Sequence, residues 1–215
     1  DLRAKVPRAL HDFTLTAESS PLDETELVAR ARELIPSRQQ MGNATLIVSV
    51  APGPTRPVLR PAELEADALA NHLVAEALTG PYAVLSTADG TERLLRGDAL
   101  ELTQRQSGRL VHLDESGRVA VAQPALADHR GRTGIPSLIE EEVRAAIDRA
   151  LRFTARILDH VDPANRLSHV APVVALLGAG YLPWRTQAEQ QESPGRASIG
   201  AGTSGDITVT HAPPT

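Results

Sequence analysis

Short segments joined by glycine-containing turns between residues 82 and 123 constrain the fold more than any other part of the chain. Four segments there alternate with a period of two, namely Tyr82–Thr87, Ala99–Gln104, Arg109–Asp114 and Arg118–Gln123, and Asp89-Gly90, Ser107-Gly108 and Ser116-Gly117 supply turns between them. This alternation is typical of β-strands. The last two segments are too close in sequence to be parallel, because parallel strands need a crossover of about a dozen residues or more. The sequence therefore predicts an α+β fold with an antiparallel β-meander.

The longest predicted helix runs from Leu138 to about Val161. Ser137 and Glu140 have the spacing of a capping box at its start. Its apolar stripe consists of Leu138, Ile139, Val143, Ala146, Ile147, Ala150, Leu151, Thr154, Ile157, Leu158 and Val161. Spacing of three and four residues predicts that this stripe forms one buried face.

A second helix is predicted directly after the first. Asp162-Pro163 should end one helix and begin the next, since Asp caps helices and Pro suits the first helical position. The second helix carries Leu167, Val170, Val173, Val174, Leu176 and Leu177, and Pro172 should kink it. We expect the two helices to form a long antiparallel helical hairpin packed against the β-meander.

Other elements are predicted nearer the N-terminus. Apolar spacing predicts helices from Asp23 to Ile35 and from about Pro61 to Thr79. Thr45–Val50 is predicted as a strand, which residues 51–55 should not continue, because proline lacks the donor that a β-ladder needs. Pro57–Arg60 is a candidate short edge strand.

Changes of composition divide the chain into three parts. Residues 1–40 are predicted as an N-terminal connector and helix, residues 41–185 as the α+β domain, and residues 186–215 as a flexible loop, an edge strand at Asp206–Thr210 and a tail. Because position 1 is Asp rather than Met, we expect a processed or excised piece that follows a preceding domain of the same full-length chain.

Composition excludes several kinds of site. The chain has no cysteine, which rules out disulfides, thiolate nucleophiles, iron–sulfur clusters and cysteine-bound zinc. Its net charge of −5 argues against a surface that is basic throughout, although a local basic patch is compatible with it. The sequence has no apolar run of about 18 residues and no signal peptide, so it predicts a cytoplasmic protein without membrane contact. It predicts neither a cofactor nor a metal.

Arginines near the longest predicted helix are candidate ligands for an anion or for nucleic acid. The loop at residues 129–134 contributes Arg130 and Arg132, which could hold a phosphate together with free backbone N–H groups. The helix contributes Arg149, Arg152 and Arg156. Glu140, Glu141 and Glu142 oppose this interpretation, because carboxylates in the first turn satisfy the helix dipole and repel an anion. A solvated loop whose arginines pair with those glutamates is the alternative.

Other candidate residues have structural alternatives. Tyr181, Trp184 and Arg185 are candidate partner-binding residues, since Trp and Arg are frequent anchors, but they could equally cover the predicted helices. A divalent metal could bind the cluster of Asp159, His160, Asp162 and His169, but Asp162 also suits helix capping and the spacing matches no ligand signature. His72 and His112 are expected to be partly buried or solvated rather than catalytic.

Two stretches, Val50–Pro61 and Asp162–Tyr181, carry a resemblance to a known group of proteins. The first reads VAPGPTRPVLRP, and the second runs from Asp162-Pro163 through RLSHV to GAGY. They resemble the region that follows the Schlafen/Alba-like DNA-binding domain in multidomain proteins of GC-rich bacteria. The resemblance implies nucleic-acid handling by a neighbouring module and assigns no functional residue to this chain.

The sequence as a whole favours a non-catalytic accessory or oligomerisation domain of a larger cytoplasmic bacterial protein. Its expected partners are the preceding domain of the same chain and a second copy of the chain. One alternative is direct nucleic-acid binding through the arginine-rich loop. Another is a small-molecule enzyme, whose catalytic residues would have to be dispersed along the chain because the sequence contains no familiar catalytic motif.

Overall fold

A computed structural model describes residues 24–34, 44–125, 136–179, 182–192 and 207–210. The helices are α1 (Glu24–Arg32), α2 (Pro61–Glu65), α3 (Asp67–Thr79), α4 (Glu140–Val161) and α5 (Gln187–Glu192). The strands are β1 (Thr45–Gly53), β2 (Glu92–Arg96), β3 (Ala99–Gln104), β4 (Arg109–Asp114), β5 (Val119–Pro124), β6 (Leu138–Ile139), β7 (His169–Leu177), β8 (Trp184–Arg185) and β9 (Ile207–Thr210).

Seven of these strands form one sheet, in the order β2-β3-β4-β5-β1-β7-β9, and every neighbouring pair is antiparallel. The predicted α+β class with an antiparallel meander is therefore correct, and strands Ala99–Gln104 and Arg109–Asp114 are confirmed. Gly108 and Gly117 have φ angles of 67° and 79° in two of the three predicted turns, a conformation that glycine adopts without steric cost.

The sheet carries helices on both faces. Helices α3 and α4 cover one face, where Leu46, Val48, Leu102, Val111, Leu113 and Val121 pack against Leu73, Phe153 and Ile157. Helix α1 packs on the other face over β1 and β7, where Ala31 meets Ile47, Ala51, Val173 and Ala175. β1 is buried along its whole length because it lies between two strands and under helices on both sides.

The predicted long helical hairpin is wrong. Residues 169–177 form strand β7, which pairs with β1 over nine residues, from Gly53–His169 to Thr45–Leu177. Its valines, alanines and leucines fit a strand as well as a helix, and the pairing with β1 decides between the two. Pro172 lies one residue before β9 begins to pair, so its missing donor interrupts no ladder on that side.

Proline also fails to end β1, contrary to the sequence expectation. Pro52 pairs with Val170 of β7, whereas the pairing of β1 with β5 ends at Val50. Pro52 thus lies where β1 has a neighbour on one side, which is where a strand tolerates proline. The candidate edge strand at residues 57–60 is not a strand, and the backbone N–H groups of Val58 and Leu59 donate to the carbonyl of Glu115 instead.

The predicted strand at residues 82–87 is irregular, and the edge strand is β2. The buried amide of Gln104 explains the difference, because it satisfies the backbone of this segment. Gln104 Oε1 accepts from the N–H of Ser86 at 2.9 Å, and Gln104 Nε2 donates to the Ser86 carbonyl at 2.6 Å. The charged residues at both ends of β2 break the apolar–polar alternation by which strands are predicted, so the sequence did not indicate this strand. Charged residues suit the exposed edge of a sheet.

Helix α4 begins two residues later than predicted, because Leu138 and Ile139 form β6 and pair in parallel with β8. Its N-cap is Ile139 rather than Ser137. The buried face is also rotated relative to the predicted stripe, since Phe153 is fully buried and Leu151 is 36% exposed. None of the helices within the described ranges is long and apolar enough to cross a membrane.

Candidate functional site

Four polar side chains of helix α4 meet side chains from earlier elements and form what we call the polar row. The α4 members, Arg149, Arg152, Arg156 and His160, are three or four residues apart and therefore lie on one side of the helix. Their respective neighbours are Arg109 of β4, Tyr82 of the segment after α3, and Glu76 and His72 of α3.

The two middle pairs of the row are complementary in charge. Arg156 donates from Nε and Nη2 to the two carboxylate oxygens of Glu76, at 2.8 and 2.6 Å. These hydrogen bonds lower the pKa of Glu76 and raise the pKa of Arg156. Arg152 lies 5.6 Å from the centre of the Tyr82 ring and is also paired with Asp148 at 2.8 Å, which raises its pKa. These two pairs therefore join α4 to α3 and to the segment that follows α3.

At one end of the row, the positive charges of Arg109 and Arg149 interact. Arg109 is half-buried and donates from Nη1 to the carbonyl of Val84 at 2.7 Å. Burial lowers its pKa, the positive charge of Arg149 lowers it further, and Asp89 opposes the shift. Within the part of the chain that the structure describes, neither Arg109 nor Arg149 has a carboxylate within ion-pair distance. We call this the arginine end.

At the other end, His72 and His160 stack with ring centres 3.6 Å apart and planes inclined by 15°. Burial lowers the pKa of His72, the charges of His160 and Arg156 lower it further, and Glu76 opposes them. The buried Nε2 of His72 has no hydrogen-bond partner among the described residues. His160 also lines a cleft of about 360 Å³ between α2, α3 and the end of α4. We call this the histidine end.

The candidate anion-binding residues are only partly placed by the structure. Arg149, Arg152 and Arg156 lie together in the polar row, whereas Arg130 and Arg132 lie outside the described residues. Carboxylates of Glu76 and Asp148 already neutralise two of the three helix arginines. Arg149 is thus the predicted helix arginine with charge left for a ligand.

The candidate partner-binding residues lie apart from the polar row. Trp184 is 47% exposed and pairs with Leu138 through β8 and β6. Arg185 is buried and donates to the Gln190 side chain at 2.8 Å and to the Glu189 carbonyl at 3.1 Å, which indicates a structural role. Tyr181 lies outside the described residues.

Two residues of the candidate metal cluster at the end of α4, Asp162 and His169, have hydrogen-bond partners elsewhere. Asp162 is buried and accepts hydrogen bonds from the N–H of Leu167 at 2.7 Å and from Arg166 Nε at 2.9 Å. His169 Nδ1 lies 2.8 Å from the hydroxyl of Ser168. Across the described ranges, no three His, Asp or Glu side chains are placed to hold a metal ion.

His112 is buried, and its Nδ1 lies 3.2 Å from Oε1 of the buried Glu101 on the neighbouring strand. Sequence reasoning singled out His112 but missed Glu101. Their pairing follows from the register of β3 and β4, in which Glu101 is opposite His112. Buried Ser49 lies two strands away in the same row, beyond Ala120. Two strand spacings are roughly 9–10 Å between backbones, so this arrangement is not a serine–histidine dyad.

Sequence reasoning also missed Arg109, Tyr82 and Glu76, which complete the polar row. These residues come from three separate segments, and only the packing of α4 beside α3 and the end of β4 brings them together. Comparisons of the chain with protein-family models, with curated proteins and with solved structures return no match.

Proposed function

We propose that this chain is a non-catalytic accessory domain that binds a phosphate group at the arginine end of the polar row. The observations that support this proposal are the half-buried guanidinium of Arg109, the positive charge of Arg149 that acts on it, and the lack of a carboxylate at ion-pair distance from either arginine in the described ranges, although the charge of Asp89 opposes that of Arg149. Two like charges that interact repel each other, and an anion bound by both arginines would offset that repulsion. Guanidinium groups bind phosphate oxygens in a bidentate manner.

The side chain of Arg109 is already fixed in place before a ligand binds. Arg109 is held at the Val84 carbonyl, so little side-chain freedom remains to be lost when a ligand arrives. Arg149 is exposed on the helix surface, one turn before Arg152, and we expect its long side chain to contribute to the same site. Arg152 remains bound to Asp148 and serves as part of the wall rather than as the main ligand.

Structural roles of polar groups elsewhere support a binding domain over a catalyst. Asp114 Oδ1 accepts from the N–H groups of Ser116 and Arg118 at 2.9 and 3.0 Å, and its Oδ2 accepts from Arg118 Nε at 2.8 Å. Asp162 closes the turn after α4 in the same manner. We further propose that the domain acts in the cytoplasm beside a nucleic-acid-handling module of the same protein, as the resemblance implies.

Isothermal titration calorimetry with inorganic phosphate and pyrophosphate, at about 50 mM salt, tests the proposal. R149Q should weaken binding by roughly 10- to 150-fold, because a hydrogen bond to a charged group contributes about 1.5–3 kcal/mol. R109K keeps the charge but loses the bidentate fork, and it should weaken binding less than R149Q does. R144Q is the matched control, since Arg144 is an exposed arginine of the same helix that pairs with Glu140 instead.

A single-stranded DNA of about 12 nucleotides separates the two sources of phosphate. If the DNA binds more tightly than pyrophosphate and R149Q weakens both, the phosphate belongs to a nucleic acid, as in the alternative from the sequence. If pyrophosphate binds as well as DNA, the ligand is a small phosphate compound. The proposal is refuted if neither probe binds, or if R144Q weakens binding as much as R149Q.

A further inference from the structure

The histidine end of the polar row opens into a cleft whose chemistry differs from that of the arginine end. Its walls are mostly apolar and consist of Leu59, Ala66, Ala68, Leu69, Val161 and Pro163. Two polar side chains complete the lining, Glu63 of α2 and His160 of α4. A volume of about 360 Å³ is within the range of small-molecule sites.

Glu63 has a carboxylate oxygen left for a ligand. Its Oε2 accepts from the N–H of Arg60 at 2.7 Å and helps to cap α2. The other oxygen, Oε1, has no hydrogen-bond partner in the described ranges. The capping bond fixes the side chain at the rim of the cleft, which reduces the entropy lost when a ligand binds.

The charges facing the cleft favour a cation. Arg156 is the arginine nearest to the histidines, and both of its hydrogen bonds go to Glu76. Among the described lining residues there is no arginine or lysine, so a carboxylate or phosphate would meet Glu63 without a compensating cation.

We infer that this cleft binds a small organic ammonium ion, with the apolar body between α2, α3 and the end of α4 and the ammonium group on Glu63. His160 lines the cleft and stacks on His72, so an imidazole ring forms part of the wall around the ligand. This site is separate from the proposed phosphate site and does not depend on it.

The test uses three ring compounds of similar shape and different charge, namely cyclohexylammonium, cyclohexanol and cyclohexanecarboxylate. Each is titrated into the full chain at one fixed pH while amide chemical shifts are followed by NMR. We expect saturable shifts near Leu69 and His160, with the ammonium binding roughly fivefold more tightly than the alcohol, as suits an exposed ion pair. The carboxylate should bind most weakly.

E63Q is the informative variant, because glutamine keeps an oxygen that can accept the capping bond while it loses the charge. It should reduce the affinity for cyclohexylammonium to that for cyclohexanol and leave the affinity for cyclohexanol unchanged. E65Q is the matched control, since Glu65 is an exposed glutamate of the same short helix outside the cleft.

The inference is overturned if the alcohol binds as tightly as the ammonium ion, if E65Q acts like E63Q, or if no probe gives saturable shifts at the cleft.

Discussion

Phe153 and Leu151 provide the sharpest test of how helix α4 is placed. The apolar stripe read from the sequence includes Leu151 and omits Phe153, whereas the structure buries Phe153 completely and leaves Leu151 36% exposed. Replacing a buried Phe with Ala costs about 3–5 kcal/mol through lost burial and the cavity left behind. Replacing Leu151 with Ala should cost about 1 kcal/mol or less, because much of the side chain is already in water.

Urea unfolding of F153A and L151A, followed by circular dichroism, measures both costs under one condition. The free energy of unfolding should fall by roughly 3–5 kcal/mol in F153A with an unchanged m-value. For a chain of this size that corresponds to a fall in Tm of roughly 6–20 °C. If L151A is as destabilising as F153A, α4 is rotated toward the stripe predicted from the sequence, and the packing described above is incorrect.

Three further changes test the polar groups. T154V should raise the free energy of unfolding by about 1 kcal/mol, because the buried Thr154 hydroxyl has no hydrogen-bond partner in the described ranges. T154S keeps the hydroxyl and should lower the free energy of unfolding. Equal effects of the two substitutions in denaturant unfolding would contradict this explanation. D162A should lower it by about 1–3 kcal/mol, since the N–H of Leu167 loses its acceptor, and a stability equal to wild type in the same assay would show that Asp162 is not a cap. The pKa of His72 is lowered by folding, so protonation favours the unfolded chain and stability is complete above about pH 6.5 and falls as the pH drops below it. H72Q should flatten this dependence between about pH 5 and 7, and parallel curves for wild type and H72Q would contradict the assignment.

Local patterns were sufficient where neighbouring strands are also neighbours in sequence. Ala99–Gln104 and Arg109–Asp114 were predicted with their observed bounds, because alternation and glycine turns act over a few residues. Residues 169–177 were assigned to a helix because a short apolar run fits both periodicities. Only the pairing with β1, which is distant in sequence, selects the strand.

The residues of the candidate site likewise fall into those that local spacing predicts and those that it does not. The helix members Arg149, Arg152 and Arg156 could be grouped from their spacing alone, because residues three or four apart share a helix face. Arg109 and His72 could not be assigned to that face, because nothing local shows that β4 and α3 approach α4 at those positions. The charge balance of the row, complementary in the middle and repulsive at the arginine end, depends on this distant packing.

The pairing of β1 with β7 also determines when the sheet can be completed during synthesis. Thr45 pairs with Leu177, so the partner of an early strand is made more than 130 residues later. Until then, β1 has β5 on one side and an open edge on the other, at the centre of what becomes the core. Closing so long a loop is entropically costly and slows folding. The nascent chain therefore leaves one side of this buried strand unpaired until residues 169–177 have been made.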